Sequence, residues 1–436
     1  MSIGVKQGCA CDVATISASL GEFSVPYTAC AEIVNVSFTI SICNIDDILK
    51  AYGVVSADRV AQAVSSVIFR LNGSGAAAVA AGHQIQVTFP QDRLPEADSL
   101  AQACEAWIRH VCRSVALIPF WTEWGVVHVW LSAQWSAQVN GVEECGGDGL
   151  LGFSGDSVPD PGEGAARYRR DMAVASKLLC VLARAGAGGL DGGALRIVWQ
   201  PVVARASCEV LYYQSTVRFE EAIGDPWLAR NALAVVERVG FGGIIDEIVV
   251  EATVAELQAD PTVMLSASIS SVGVVCSSWW ARLARRLEQE PEIAARLVLE
   301  ISETAALARS AEVGRFCDKA RRLGCKIAIS DFGAGFASVR QLVAIGPDIV
   351  KIDCGFVRRS MTSPRDRAVL AGLRQLAAAV ARIVVADGVD TFAHAQLTDE
   401  LGLAWQQGHF WGSASTCRPW CAARAPVPPG PALLAG

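Results

Sequence analysis

The sequence predicts two α/β domains in one chain: an N-terminal α/β sandwich of ferredoxin-like order, then a C-terminal modified TIM-type β/α barrel. Three observations predict it. Between Leu297 and Asp353 three short apolar runs (Leu297–Ile301, Lys326–Ile329, Ile349–Ile352) each end on charged or hydroxyl residues, with amphipathic segments of helical length between them. That is the βαβ alternation of a parallel sheet. Further strand signals recur on both sides of this stretch at the spacing of a β/α barrel. From Val34 to about Gln138 the signals instead run β–α–α–β–α–β, the order of a small sandwich.

Taken in order, residues 1–32 carry no structural signal. VNVSFTISIC from Val34 reads as a strand, and IDDILKAYGVVSADRVAQAVSSVIFRL from Ile45 as helices around a Tyr52-Gly53 turn. GHQIQVTFP from Gly82 reads as a strand, a helix follows near 98–114, and WGVVHVWLSAQW from Trp124 reads as the last strand of a domain spanning 33–140. Composition then shifts to Gly, Asp, Pro and Ser, a linker over 141–162. AARYRRDMAVASKLLCVLARA from Ala165 reads as an amphipathic helix leading into the barrel domain, 163–416. Its strands are IVWQPVV, EVLYYQSTV, VMLSASI, LVLEI, KIAIS, DIVKI, RIVVA and LAWQQGHF. The tail, 417–436, is Pro-rich and reads as frayed.

With 52% hydrophobic and 19% charged residues, the 436-residue chain is globular and long enough for two cores. No apolar run is long enough for a membrane span, and the N-terminus lacks the pattern of a secretory signal, so the expected location is cytoplasmic. Fifteen Cys without CxxC pairs fit reduced thiols, and the Cys9/Cys11 CxC has no second ligand pair nearby. A net charge of −7 argues against DNA or RNA, which need a basic face, but not against a small anionic ligand.

Barrel chemistry sits where strands end and loops begin, which gathers Glu300, Glu303, Ser330, Asp331, Lys351 and Asp353 at or near one face. Acidic strand ends, a Gly-rich loop (Asp331–Phe336) and a Lys suggest a divalent metal and a phosphate; strand-end caps and ion pairs are the alternative. LEISE, ISDFGAGFAS and DIVKID, in this order and spacing, resemble the EAL family, the cyclic di-GMP phosphodiesterase domain. IVWQPVV and ERVGFGGIID upstream, and VVADGVDT and WQQGHFWG downstream, extend the resemblance over roughly the last 260 residues, one domain's worth.

The resemblance implies a two-metal hydrolase, with ions about 3.5–4 Å apart held by carboxylates and an Asn. Residue by residue, however, that site is depleted. Gln214 stands at the signature Glu, followed by Ser215, Thr216 and Arg218; Ser268 stands at the metal-binding Asn; Ser330 replaces the first Asp of an Asp-Asp pair; and Asp387 replaces a Glu. What remains is vestigial: Glu300 and Asp331 as metal ligands, Lys351 and Asp387 as catalytic groups, and Glu303 to steady the Gly-rich loop. Mg²⁺ wants several anionic oxygens, so no metal cofactor is expected; Mg²⁺ or Mn²⁺ enters only with residual phosphodiesterase activity. Gln200, Arg218, Gln407 and Gly408 match ligand-contacting positions. Gln200 as a barrel-bottom polar group, Arg218 paired with Glu220 or Glu221, and Lys351 paired with Glu300 or Asp331 are the alternatives.

The first domain resembles, more faintly, the GGDEF family, the diguanylate cyclases. IDDILKAYGVVSADRVAQAV matches its two helices around a Tyr-Gly turn, and GHQIQVTF falls at its signature hairpin. Ser41 would stand at the metal-binding Asp, with Cys43 two residues on; Leu49 would stand at the guanine-reading Asn, Asp58 is kept, and Ala81–Ile85 replaces the signature, with His83 and Gln84 at its acidic pair. Without those carboxylates nothing holds the ion that phosphoryl transfer needs.

These residues predict a catalytically inactive GGDEF–EAL protein acting as a cyclic di-GMP receptor through its barrel, with a protein partner that the sequence does not name. The family resemblance adds a homodimer. One alternative is an interaction scaffold without nucleotide binding, suggested by the loss of both signatures and by Trp279, Trp280 and Trp405. The other is a residual metal-dependent phosphodiesterase using Glu300, Asp331, Asp387 and Lys351.

Overall fold

The computed structural model describes residues 35–71, 77–81, 84–139, 142–147, 161–185, 195–219, 233–270, 274, 277–303, 310–335 and 339–422. Residues 1–32, Gly82, His83, most of the linker, Glu220, Glu221 and residues 423–436 lie outside the described residues. The chain forms two units: Arg196–Arg218, Gly242–Val275 and everything from Trp280 onward make the second, and the rest belongs to the first.

The first unit is a five-stranded sheet covered by helices, of which α1 (Ile45–Tyr52) and α2 (Val54–Leu71) come first. Its strands are β1 (Asn35–Ile42), β2 (Ala77–Ala81), β3 (Gln84–Pro90), β6 (Leu131–Val139) and β7 (Val142–Gly147), in the order β2-β3-β1-β6-β7. β1 pairs antiparallel with both β3 and β6. Strict alternation along β1 buries Val36, Phe38, Ile40 and Ile42 while Asn35 and Ser37 face solvent. On that apolar face α3 (Leu100–Ala116), capped by the Ser99 side chain, sets Trp107 4.0 Å from the Phe38 ring.

Three expectations for this unit need correction. WGVVHVWLSAQW is not one strand: β4 (Phe120–Thr122) and β5 (Gly125–Val127) form a small separate hairpin before β6 begins. The start of the expected linker is strand β7, which pairs with β6 from Val142 to Gly147 because an edge strand needs backbone partners more than side-chain burial. Helix α4 (Pro161–Ala185) packs in the first unit rather than leading into the barrel. Its Met172, Ala175, Leu178 and Leu179 are buried, Tyr168 accepts a hydrogen bond from Asn44, and Asp171 pairs with Arg238. Beneath it His128 is enclosed, with Nδ1 2.9 Å from the Ala116 carbonyl and Nε2 3.2 Å from Ser176 Oγ. Burial pushes its pKa down to about 4.

The second unit is a closed eight-stranded barrel: β8 (Leu195–Ala204), β9 (Val210–Phe219), β10 (Leu265–Ile269), β11 (Leu297–Ser302), β12 (Lys326–Phe332), β13 (Ile349–Ile352), β14 (Ile383–Ala386) and β15 (Trp405–Gln407). Neighbours from β9 to β15 run parallel, while β8 runs antiparallel to β15 and closes the ring. A tight turn at 205–209, with Cys208 in the left-handed region, joins β8 to β9, so no crossover helix covers them. The start of the expected frayed tail packs beside them instead: Ser415 exchanges backbone hydrogen bonds with Trp199, Trp420 packs 5.1 Å from Trp199 and from Tyr213, and Arg418 pairs with Glu256. Apolar contact outweighs the Pro-rich composition there. Trp279 and Trp280 are core residues and Trp405 packs on the barrel interior, so none offers the exposed aromatic face expected of them. Among the described residues no helix is long and apolar enough to cross a membrane.

Candidate functional site

The barrel is plugged by one apolar layer, Val202, Tyr212, Val298, Ala328, Ile349 and Val385, contributed by six of its strands. Side chains on a strand return to the same face every second residue. Stepping two residues beyond this layer, toward the C-terminal ends of the parallel strands, reaches Gln214, Glu300, Ser330, Lys351 and Asp387. On antiparallel β8 the same step runs backward, from Val202 to Gln200. Gln200 therefore belongs to the mouth, not to the barrel bottom. Its Nε2 donates to the Gly412 carbonyl at 3.0 Å.

Glu300 is the centre of this second layer. Its Oε2 accepts from Lys351 Nζ at 3.1 Å and from Gln214 Nε2 at 2.8 Å, and its Oε1 accepts from Ser266 Oγ at 2.7 Å. The Lys351 and Glu300 side chains are 1% and 0% exposed, so this is a buried ion pair rather than a surface contact. The network extends sideways: Gln407 Nε2 donates to Gln214 Oε1 at 2.6 Å and lies 3.3 Å from Gln200 Oε1. Burial first, and then the Glu300 charge, push the Tyr212 phenol well above its usual value, so it stays protonated beside the network. The sequence points to Ser268 as the hydroxyl on β10; the structure puts Ser266 on Glu300 and leaves Ser268 exposed.

Above this floor lies the rim. The β12–β13 register breaks between Ile329 and Phe332, and Asp331 takes the left-handed conformation within the break, turning its side chain to the surface. Although Asp331 keeps accessible surface, desolvation in the mouth and then Asp387, Asp353 and Glu300 raise its pKa against the pull of Lys351. Asp387 is raised likewise, by burial first and by Glu300 and Asp353, with Lys351 and the Gly388 amide opposing. Glu303 is buried and its Oε2 accepts from the Gly333 and Gly335 amides at 2.9 and 2.8 Å, tying down the described part of the Gly-rich loop. Asp353 caps the helix Cys354–Ser360. Arg218 is exposed at the end of β9. Gln407 is fully buried, and Gly408 is needed for close packing: at φ +152°, an added Cβ would lie 2.2 Å from the Val389 carbonyl oxygen.

A divalent ion does not fit this floor as built. Among the described residues no three His, Cys, Asp or Glu side chains gather to hold one. Both Glu300 oxygens are engaged, Oε2 by the Lys351 ammonium and the Gln214 amide and Oε1 by the Ser266 hydroxyl.

The EAL domain model matches residues 183–414, more than half of the chain. The chain belongs to the EAL domain family. Among curated relatives, the EAL chain is 29% identical over 184 residues to the cyclic di-GMP phosphodiesterase PdeF of Escherichia coli; the match spans 41% of this chain and 25% of PdeF. Among solved structures it is similar to the FimX EAL domain from Pseudomonas aeruginosa bound to c-di-GMP (20% identity, TM-score 0.48, 55% of this chain and 97% of that one). It is also similar to the Vibrio cholerae LapD S helix–GGDEF–EAL structure (15% identity, TM-score 0.48, 92% of each chain).

In the first unit, Ser41 lies on β1 opposite Gln84, Leu49 packs against the core, Cys43 is half-buried and Asp58 is exposed on its helix.

Proposed function

We propose that this chain is a catalytically silent GGDEF–EAL protein that binds cyclic di-GMP at the mouth of its EAL barrel without hydrolysing it. The observation that carries this reading is the saturated Glu300. A phosphodiesterase site needs carboxylate oxygens turned toward ions, whereas Lys351, Gln214 and Ser266 take up both oxygens of this one. The ligand class comes from family membership and from the activity for which PdeF is named. Arg218, exposed at a strand end, is the group assigned to a ligand phosphate. Neutral residues at the carboxylate positions of both signatures (Gln214 and Ser330, Ser41 and Gln84) make the tandem degenerate in the same sense at each end. On this reading the protein is cytoplasmic and passes ligand occupancy to a protein partner.

The test is calorimetric titration of cyclic di-GMP into the full chain with Mn²⁺ and with chelator, followed by assay of the same sample for linear dinucleotide. The reading expects metal-independent binding and no product. Product that requires Mn²⁺ and is lost in Glu300→Ala would replace it with the phosphodiesterase; no binding at all would replace it with the scaffold.

A further inference from the structure

Beside the Glu300 network, the loops that follow β14 and β15 are locked into one rim. The Val389 amide donates to the Gln407 carbonyl at 2.8 Å, and the Phe410 amide donates to the Val389 carbonyl at 3.1 Å. Asp390, on the first loop, holds His409, on the second, with one carboxylate oxygen and is itself held by Arg358 through the other. Oδ1 accepts from the His409 amide at 3.1 Å and from its Nδ1 at 2.8 Å, while Oδ2 accepts from Arg358 Nη2 at 3.1 Å. Burial works against the Asp390 charge, but the His409 and Arg358 donors outweigh it and hold the carboxyl below its usual range.

An ionised carboxylate only accepts, so the Nδ1 of His409 must donate to it. Whenever the ring is neutral, its proton therefore sits on Nδ1 and Nε2 presents a lone pair. The imidazole is 67% exposed and follows Gln407, a member of the floor network, by two residues. It is thus an oriented, solvent-facing hydrogen-bond acceptor at the C-terminal end of the barrel strands, held by two loops that are hydrogen-bonded to each other. No step of the receptor reading uses it.

We propose that His409 is a base-reading residue of the nucleotide site, its Nε2 accepting the ring N–H of a guanine. Guanine carries a hydrogen on N1 where adenine carries a lone pair, so an acceptor at this place pairs with the first and opposes the second. Asp390 and Arg358 are positioning residues: they fix the tautomer and the ring plane. The inference rests on the receptor reading and adds to it the choice of base.

The test is titration of the full-length wild type, His409→Phe and His409→Ala with cyclic di-GMP and with cyclic di-AMP, each variant first shown to melt with the wild type, as an exposed side chain allows. The wild type should prefer cyclic di-GMP. Both variants should lose roughly tenfold in affinity for it, the worth of one oriented hydrogen bond, and change little toward cyclic di-AMP, so the preference collapses. Wild type that binds cyclic di-GMP beside variants that keep its preference would overturn this assignment alone. Wild type that binds neither dinucleotide would overturn the receptor reading and this inference together.

Discussion

Replacing Lys351 with Met tests whether the barrel floor is a closed ion pair. Lys351 Nζ stands 3.1 Å from Glu300 Oε2 with both side chains sealed from solvent, and that carboxylate also accepts from neutral Gln214 and Ser266. Removing the ammonium strands a buried charge, which costs about 3–5 kcal/mol. In a barrel of this size about 1 kcal/mol moves the melting temperature by about 2–4 °C, so Lys351→Met should lower the barrel transition by roughly 6–20 °C, read by calorimetry and urea unfolding. The double variant Glu300→Gln, Lys351→Met supplies the sign. A neutral amide still accepts from Gln214 through its carbonyl oxygen and can donate its NH2 to Ser266 Oγ once that hydroxyl turns, so removing both charges should recover at least about 2 kcal/mol over the single variant. A single variant that costs under about 1 kcal/mol, or a double variant no more stable than the single, would refute the buried pair and with it the account of why no metal fits.

Gln214→Glu places a second carboxylate against Glu300 across what is now a 2.8 Å hydrogen bond; two such charges repel by about 4 kcal/mol at a separation of about 4 Å and the effective dielectric of protein sites. The variant should melt below wild type in chelator and recover with Mn²⁺, while wild type ignores Mn²⁺ in the same thermal scan. His128, neutral and enclosed with a pKa near 4 in the fold against 6.5 unfolded, favours unfolding once protons are available. Its contribution is fully present above pH 6.5 and lost as pH falls toward 4, about 3 kcal/mol in all, and stability of His128→Asn should vary less over that window. Gly408→Ala should lose more than about 2 kcal/mol without any ligand present, because its Cβ has no room against Val389 and its φ is positive; a melt equal to wild type would return Gly408 to a ligand-contacting role.

The eight barrel strands were legible as apolar runs because parallel strands buried on both sides need little else. What the sequence hides is register and partnership. Ser266 and Ser268 are chemically identical and two residues apart. Motif resemblance points to Ser268, whereas counting in twos from Met264, which packs on the interior layer, would have led to Ser266. An amphipathic pattern shows that helix α4 buries a face but not which unit receives it. Strand β7 carries no apolar alternation, since its residues before Gly147 are all exposed and its pairing is backbone alone. The Asp390–His409 pair was invisible for the same reason: nineteen residues separate two ordinary surface groups until the loops after β14 and β15 meet.

On the receptor reading, the mouth of the barrel separates two jobs that a hydrolase must combine. Floor residues Glu300, Lys351, Gln214, Gln407 and Ser266 hydrogen-bond one another and are held by burial, so on the receptor reading a ligand above them would meet groups already engaged. Rim groups Arg218, Asp331 and His409 are exposed and carry charge or oriented lone pairs, so they keep the capacity to recognise. On the receptor reading, binding energy drawn from the rim would be felt equally by a bound dinucleotide and by its transition state, and uniform binding of that kind raises affinity without raising turnover. Restoring one carboxylate at Gln214 should therefore bring back a cation before it brings back chemistry. Ser330 and Ser268 would still be neutral where the family's metal shell is polar or acidic, and Lys351 would still lean on Glu300.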